Sequence, residues 1–152
     1  MKRILLPLLL AGQLATAATL QPGEALPPIR LKDQHEKPLA IGSDTRLIFF
    51  AAEMEGSRLM ARTLEALPPS ILQDRKAVYI ADISGMPGLI STMMAVPKMQ
   101  RMPYSVALVR LARDGEQLPR KPGAVTVLKV ESGTIRSVDF AQNAQQIGSH
   151  LK

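Results

Sequence analysis

Leu47-Ile48-Phe49-Phe50-Ala51-Ala52-Glu53-Met54-Glu55-Gly56-Ser57-Arg58-Leu59-Met60-Ala61-Arg62-Thr63-Leu64 is the stretch on which the reading of this chain turns. Its first half is an unbroken apolar run, the pattern of a strand buried on both faces of a sheet. Its second half spaces Leu59, Met60, Thr63, Leu64 and Leu67 along one helical stripe. A short polar bend with a glycine joins them. Strand, bend and helix in that order put the bend at the carboxyl end of a buried strand, where open α/β sheets keep their ligand sites.

Ile29 and Leu31, then Leu39 and Ile41, alternate with polar residues around a turn at Asp33 to Lys37, which predicts a β-hairpin. His35 lies in that turn and has no partner at metal-ligand spacing, so it reads as a solvated turn residue. Pro68-Pro69 ends the central helix, because proline cannot continue the hydrogen-bond ladder. Ala77 to Ile83 predicts a second buried strand, Gly85-Met86-Pro87-Gly88 a turn, Leu89 to Met94 a short helix, and Ser105 to Leu111 a third strand. Asp114-Gly115 marks a turn before a basic, proline-containing loop from Pro119 to Gly123. Val125 to Val130 and Thr134 to Phe140 predict a second hairpin around Glu131-Ser132-Gly133, and Ala141 to Leu151 a closing helix.

The quoted stretch resembles the active-site segment of thioredoxin-like proteins. In that family a buried strand runs into an acidic residue, an aromatic residue, and then Cys-Gly-Pro-Cys opening a helix. The matching residues here are Glu53, Met54 and Glu55-Gly56-Ser57-Arg58. The opening hairpin, preceded by Pro22-Gly23 and a later proline, is similar to that of the peroxiredoxin and secreted thioredoxin branch. The resemblance spans roughly residues 21 to 151 and implies an α/β, thioredoxin-like three-layer sandwich: a mixed central sheet with an N-terminal β-hairpin and flanking helices. It also implies a cis-proline opening a strand and facing the degenerate site; Pro103 is the candidate, with Met102 and Tyr104 beside it.

The 152-residue chain contains no cysteine. Thiol-disulfide exchange and peroxide reduction through a peroxidatic cysteine both need a thiolate, so the polypeptide alone can supply neither. Residues 1–17 read as a secretory signal peptide: Met1-Lys2-Arg3 is basic, Ile4 to Ala11 is apolar, and Ala15-Thr16-Ala17 is a small-x-small cleavage site. Gln13 stands where a lipoprotein would carry its lipidated cysteine, so no lipid anchor is expected. The expected plan is therefore a leader over 1–17 and one domain over 18–152, exported to the periplasm. Removing Lys2 and Arg3 lowers the formal charge from +6 to +4, a mild excess with no basic run of the kind that marks a nucleic-acid arm. With no tryptophan, two tyrosines and three phenylalanines, a stacking platform for bases is not expected.

Four readings of the candidate site follow. Glu53, Glu55, Arg58 and Arg62 gather at the helix start. A carboxylate tuned by its neighbours could act there as acid or base, but acids at a helix N-terminus, a surface Glu55–Arg58 pair and Ser57 as N-cap explain the same residues without chemistry. Met86, Met93, Met94, Met99 and Met102 cluster before the third strand. Thioethers suit Cu(I), with Met99 and Met102 as the candidate ligands, although methionine is also a common core filler. A flavin dehydrogenase would need a Gly-x-Gly-x-x-Gly loop after a strand, and Gly85-Met86-Pro87-Gly88 has the wrong spacing. No cofactor is expected. The reading ranked first is a non-redox binding or adaptor domain taking a protein or peptide segment at Met54–Arg58 and Met102–Tyr104, since strand addition beside the proline needs no cysteine.

Overall fold

The computed structural model describes residues 18–152; the leader expectation for 1–17 lies outside the described residues. The expected hairpin forms as β1 (Ile29–Asp33) and β2 (Pro38–Ile41), followed by β3 (Leu47–Ala51), α1 (Met54–Glu65), a short α2 (Ile71–Asp74) and β4 (Ala77–Asp82). Next come α3 (Gly88–Ile90), a π-helical turn (Ser91–Ala95), α4 (Val96–Gln100) and β5 (Val106–Val109). A 3-10 turn (Ala112–Asp114), β6 (Val125–Glu131), β7 (Thr134–Ala141) and α5 (Ala144–His150) complete the chain. The sheet has seven strands in the order β2-β1-β5-β4-β3-β6-β7. Strands β3, β4 and β5 run parallel, and β6 returns antiparallel against β3 with Ala51 opposite Val125.

Every residue of β3 is buried. The strand alternates, so Leu47, Phe49 and Ala51 enter one cluster while Ile48 and Phe50 enter the other. The first cluster takes Leu59, Met60 and Leu64 of α1, Leu72 of α2, Met99 of α4, and Ile147 and Leu151 at the chain end. The crossovers β3→β4 and β4→β5 step across the sheet in the same direction, and right-handed crossovers then put their helices on one face. The opposite face is closed by Leu20, Leu26 and Leu118. The N-terminal segment is held there by Leu20 N–H to Gln117 O (2.9 Å) and Leu26 N–H to Gly133 O (2.7 Å).

Three boundaries differ from the sequence reading. The helical stretch after β4 runs on to Gln100 instead of ending at Met94, through Pro97. A proline removes one i→i−4 donor, and the π turn absorbs this by a wider bond from Val96 N–H to Ser91 O. Strand β5 is shorter than Ser105 to Leu111. Helix α5 begins at Ala144 because Asn143 caps it, accepting the Gln146 N–H at 2.9 Å, while Ala141 still pairs with Val125 in the sheet.

Candidate functional site

The carboxyl ends of β3 and β4 lie side by side, with Ala51 opposite Ala81, and α1 starts three residues after β3 ends. Glu53 is the N-cap residue, with extended backbone (φ −139°, ψ 163°) and no capping side chain; its carbonyl accepts the Ser57 N–H at 3.1 Å. Ser57 is therefore in the first turn and does not cap it, a correction to the sequence reading. The helix starts at Met54 because the chain turns as soon as the strand leaves the sheet. Ser57 instead points toward the Tyr79 phenol. Burial pushes that phenol above its ordinary range, and the Ser57 hydroxyl offsets this in part.

Met54 is 49% exposed, and Arg58 Nη2 donates to its Sδ at 3.3 Å. That contact replaces the expected Glu55–Arg58 pair, since the ion pairs among the described residues do not include it. Gly56 is buried: a Cβ there would stand 3.3 Å from Ala51 Cβ and 3.4 Å from the Ala124 carbonyl oxygen. A Cβ on Gly123, whose φ of +71° favours glycine, would lie 3.9 Å from Glu55 Oε2. The start of α1 thus rests on the loop that opens β6.

The residues placed beside Pro103 are elsewhere. The Met102–Pro103 bond is trans, as is every described peptide bond, which corrects the cis expectation. Pro103 precedes β5, and β5 runs parallel to β4, so the segment Met102–Tyr104 lies at the amino end of the parallel strands. It lines a cleft of about 340 Å³ with Gln34, Leu72 and Ala77. Ala77 pairs with Leu47, four residues before Ala51 along β3, a displacement of about 13 Å at the usual rise per residue. Tyr104, whose phenol is raised first by burial and then by Glu65 at the far end of α1, belongs to that same end. The structure therefore separates Met54–Arg58 from Met102–Tyr104. The loop that faces Met54–Arg58 is Lys121–Ala124, because β6 is the strand that returns antiparallel beside β3.

Met99 is only 7% exposed and packs in the helix-side core, with Met102 and Met86 against that cluster, whereas Met93 and Met94 are 67% and 68% exposed. An ion held by Met99 and Met102 would have to displace core contacts. His35 is exposed in its turn, its N–H donating to Asp33 Oδ1.

One side chain that the sequence reading passed over positions the loop. Asp82, at the carboxyl end of β4, accepts the Ser84 N–H (2.9 Å), the Ser84 hydroxyl (2.6 Å) and Arg120 Nη2 (3.2 Å), and its side chain is 5% exposed. The Arg120 guanidinium also stacks 5.3 Å from the Phe50 ring centroid. Together with Thr126 Oγ1 donating to Pro119 O at 2.7 Å, this ties the loop to the sheet end. The signal was present as Asp-x-Ser after a buried strand and a basic loop, but nothing in the sequence paired them.

No family model and no curated protein matches this chain. Solved structures do. The peroxidoxin BcpB of Mycobacterium tuberculosis superposes with a TM-score of 0.58 at 13% identity, over 87% of this chain and 94% of that one. A candidate thiol:disulfide interchange protein DsbE of Chlorobium tepidum gives 0.59 at 14%, over 88% and 100%. A thio-disulfide isomerase of Thermus thermophilus gives 0.53 at 14%, over 84% and 91%. The fold is thioredoxin-like, with a mixed seven-stranded sheet and flanking helices. The chain carries no cysteine with which to perform the thiol chemistry those names describe. No helix among the described residues is long and apolar enough to cross a membrane.

Proposed function

We propose that this is an exported, non-redox thioredoxin-like binding domain that contacts an extended protein or peptide segment between Met54–Arg58 and the Lys121–Ala124 loop. The observation that carries the reading is the half-exposed Met54, held by Arg58 at the start of α1, whose next two residues, Glu55 and Gly56, stand against the loop that opens β6. A thioether on a tethered arm gives an adaptable apolar contact, and the neighbouring loop offers backbone groups to an incoming strand. Export rests on the leader pattern of residues 1–17 and places the encounter in the periplasm.

The test is site-specific photo-cross-linking in intact cells, with a photoreactive residue replacing Met54 in one variant and Tyr104 in another. A defined protein captured through position 54, absent at position 104 and lost when Arg120→Ala loosens the loop, is the expected result. Equal capture at both positions, or none at position 54, would remove this site from consideration.

A further inference from the structure

We propose that the helical segment from Gly88 to Arg101 is a membrane-surface contact that seats the domain on an anionic lipid bilayer. From Ile83 to Pro97 the sequence holds no charged residue, and from Ile83 to Arg113 it holds no acidic one, while Lys98, Arg101, Arg110 and Arg113 are basic. On this segment Leu89, Ile90, Met93 and Met94 are 72%, 43%, 67% and 68% exposed. They make up four of the seven large apolar side chains that the described residues expose. Neither α3 nor the π turn contributes a buried residue. The segment thus leaves its apolar side chains in water, which a surface selected only for solubility would not do.

Three features favour a bilayer over a folded partner. The four side chains stand on a convex helix at positions i, i+1, i+4 and i+5, so they project and form no groove. The Ser91 hydroxyl already donates to the Gly88 carbonyl at 3.0 Å, so it has no free donor for an interface that pairs polar groups. The cations that follow are unspent: Lys98 and Arg101 are exposed and make no salt bridge among the described residues, whereas Arg110 pairs with Glu36 and Arg113 with Asp114. Flexible aliphatic side chains entering the acyl boundary, with free basic residues at headgroup level, match the requirements of an interfacial helix.

The absence of tryptophan gives a direct test. Met93→Trp in the full chain places a single reporter on the segment, and Arg136→Trp on β7 places one away from it. Any contribution of residues 1–17 is common to both proteins. Vesicles of phosphatidylcholine containing phosphatidylglycerol, with brominated acyl chains, should blue-shift and quench the Met93→Trp emission and leave the Arg136→Trp emission unchanged. Adding Lys98→Gln and Arg101→Gln to the Met93→Trp protein should weaken binding roughly twenty-five-fold, about five-fold for each charge. Circular dichroism would establish that these exposed replacements leave the fold intact. An unquenched Met93→Trp protein, equal quenching of both reporters, or a shift produced by an acidic polypeptide but not by vesicles would overturn the proposal.

Discussion

Gly56 shows how closely a single position can be set by its neighbours. By helix propensity alone, Gly56→Ala would stabilise α1 by about 0.5–1 kcal/mol. The new Cβ, however, would press on Ala51 in the fully buried strand and on the Ala124 carbonyl, and neither is the free end of a flexible side chain. Overpacking of this kind costs about 1–3 kcal/mol, so the net expectation is a loss of about 1 kcal/mol. A urea midpoint lower than wild type with an unchanged slope would agree; a higher midpoint would mean that the strand and the β6 loop yield more easily than their burial implies. The family resemblance marked Gly56 as part of a motif. Its packing role became visible only when Ala124, 68 positions later, stood against it.

At the scale of elements, one glutamine joins the first hairpin to the approach of β5. Gln34 is 1% exposed; its Nε2 donates to Tyr104 O (2.7 Å) and Met99 O (3.3 Å), and its Oε1 accepts the Val106 N–H (2.8 Å). Gln100 Nε2 donates back to the Gln34 carbonyl at 3.0 Å. This explains why residues 101–105 keep an irregular path without burying unpaired backbone groups. Gln34→Ala would leave the Val106 N–H and the Tyr104 carbonyl without these partners, at about 1–3 kcal/mol each when buried. The expected loss is about 3 kcal/mol, with accelerated amide exchange at Val106 as its local signature. A loss below about 0.5 kcal/mol would mean that water replaces the side chain. In the sequence Gln34 looked like one more polar turn residue, since hydrogen bonds across 65 to 72 positions leave no local pattern.

For the molecule as a whole, two titrating groups shape stability in opposite pH ranges. The buried Tyr79 phenol is held above its ordinary value of 10.0, chiefly by burial. Above about pH 10 the unfolded chain therefore ionises first and stability falls, and Tyr79→Phe should flatten that alkaline limb. His150 is held below 6.5, first by burial and then by Lys129, with Asp139 acting in the other direction. The unfolded chain takes up that proton first, so stability declines as the pH falls from about 7 toward 5, by a small amount because the residue is only partly buried. His150→Gln should remove that part of the acid limb. Urea midpoints measured across pH for the three proteins would check both signs, and a wild-type midpoint that rises on acidification would contradict the His150 assignment.

What local pattern can carry was legible along the chain. The all-apolar run Leu47–Ala51 specified a strand buried on both faces, the stripe Leu59-Met60-Thr63-Leu64 specified the buried face of α1, and the missing cysteine removed thiol chemistry. Which strand returns beside β3 emerged only from long-range packing. The runs Val106–Val109 and Val125–Glu131 are both β-branched and apolar, and either could follow a proline loop. Chain direction in the sheet is not written in side-chain alternation, which is the same for parallel and antiparallel neighbours when both faces are buried. Because β5 runs parallel to β4 and β6 antiparallel to β3, Pro103 belongs to one end of the sheet, and the loop at Gly123–Ala124 meets Glu55 and Gly56 at the other.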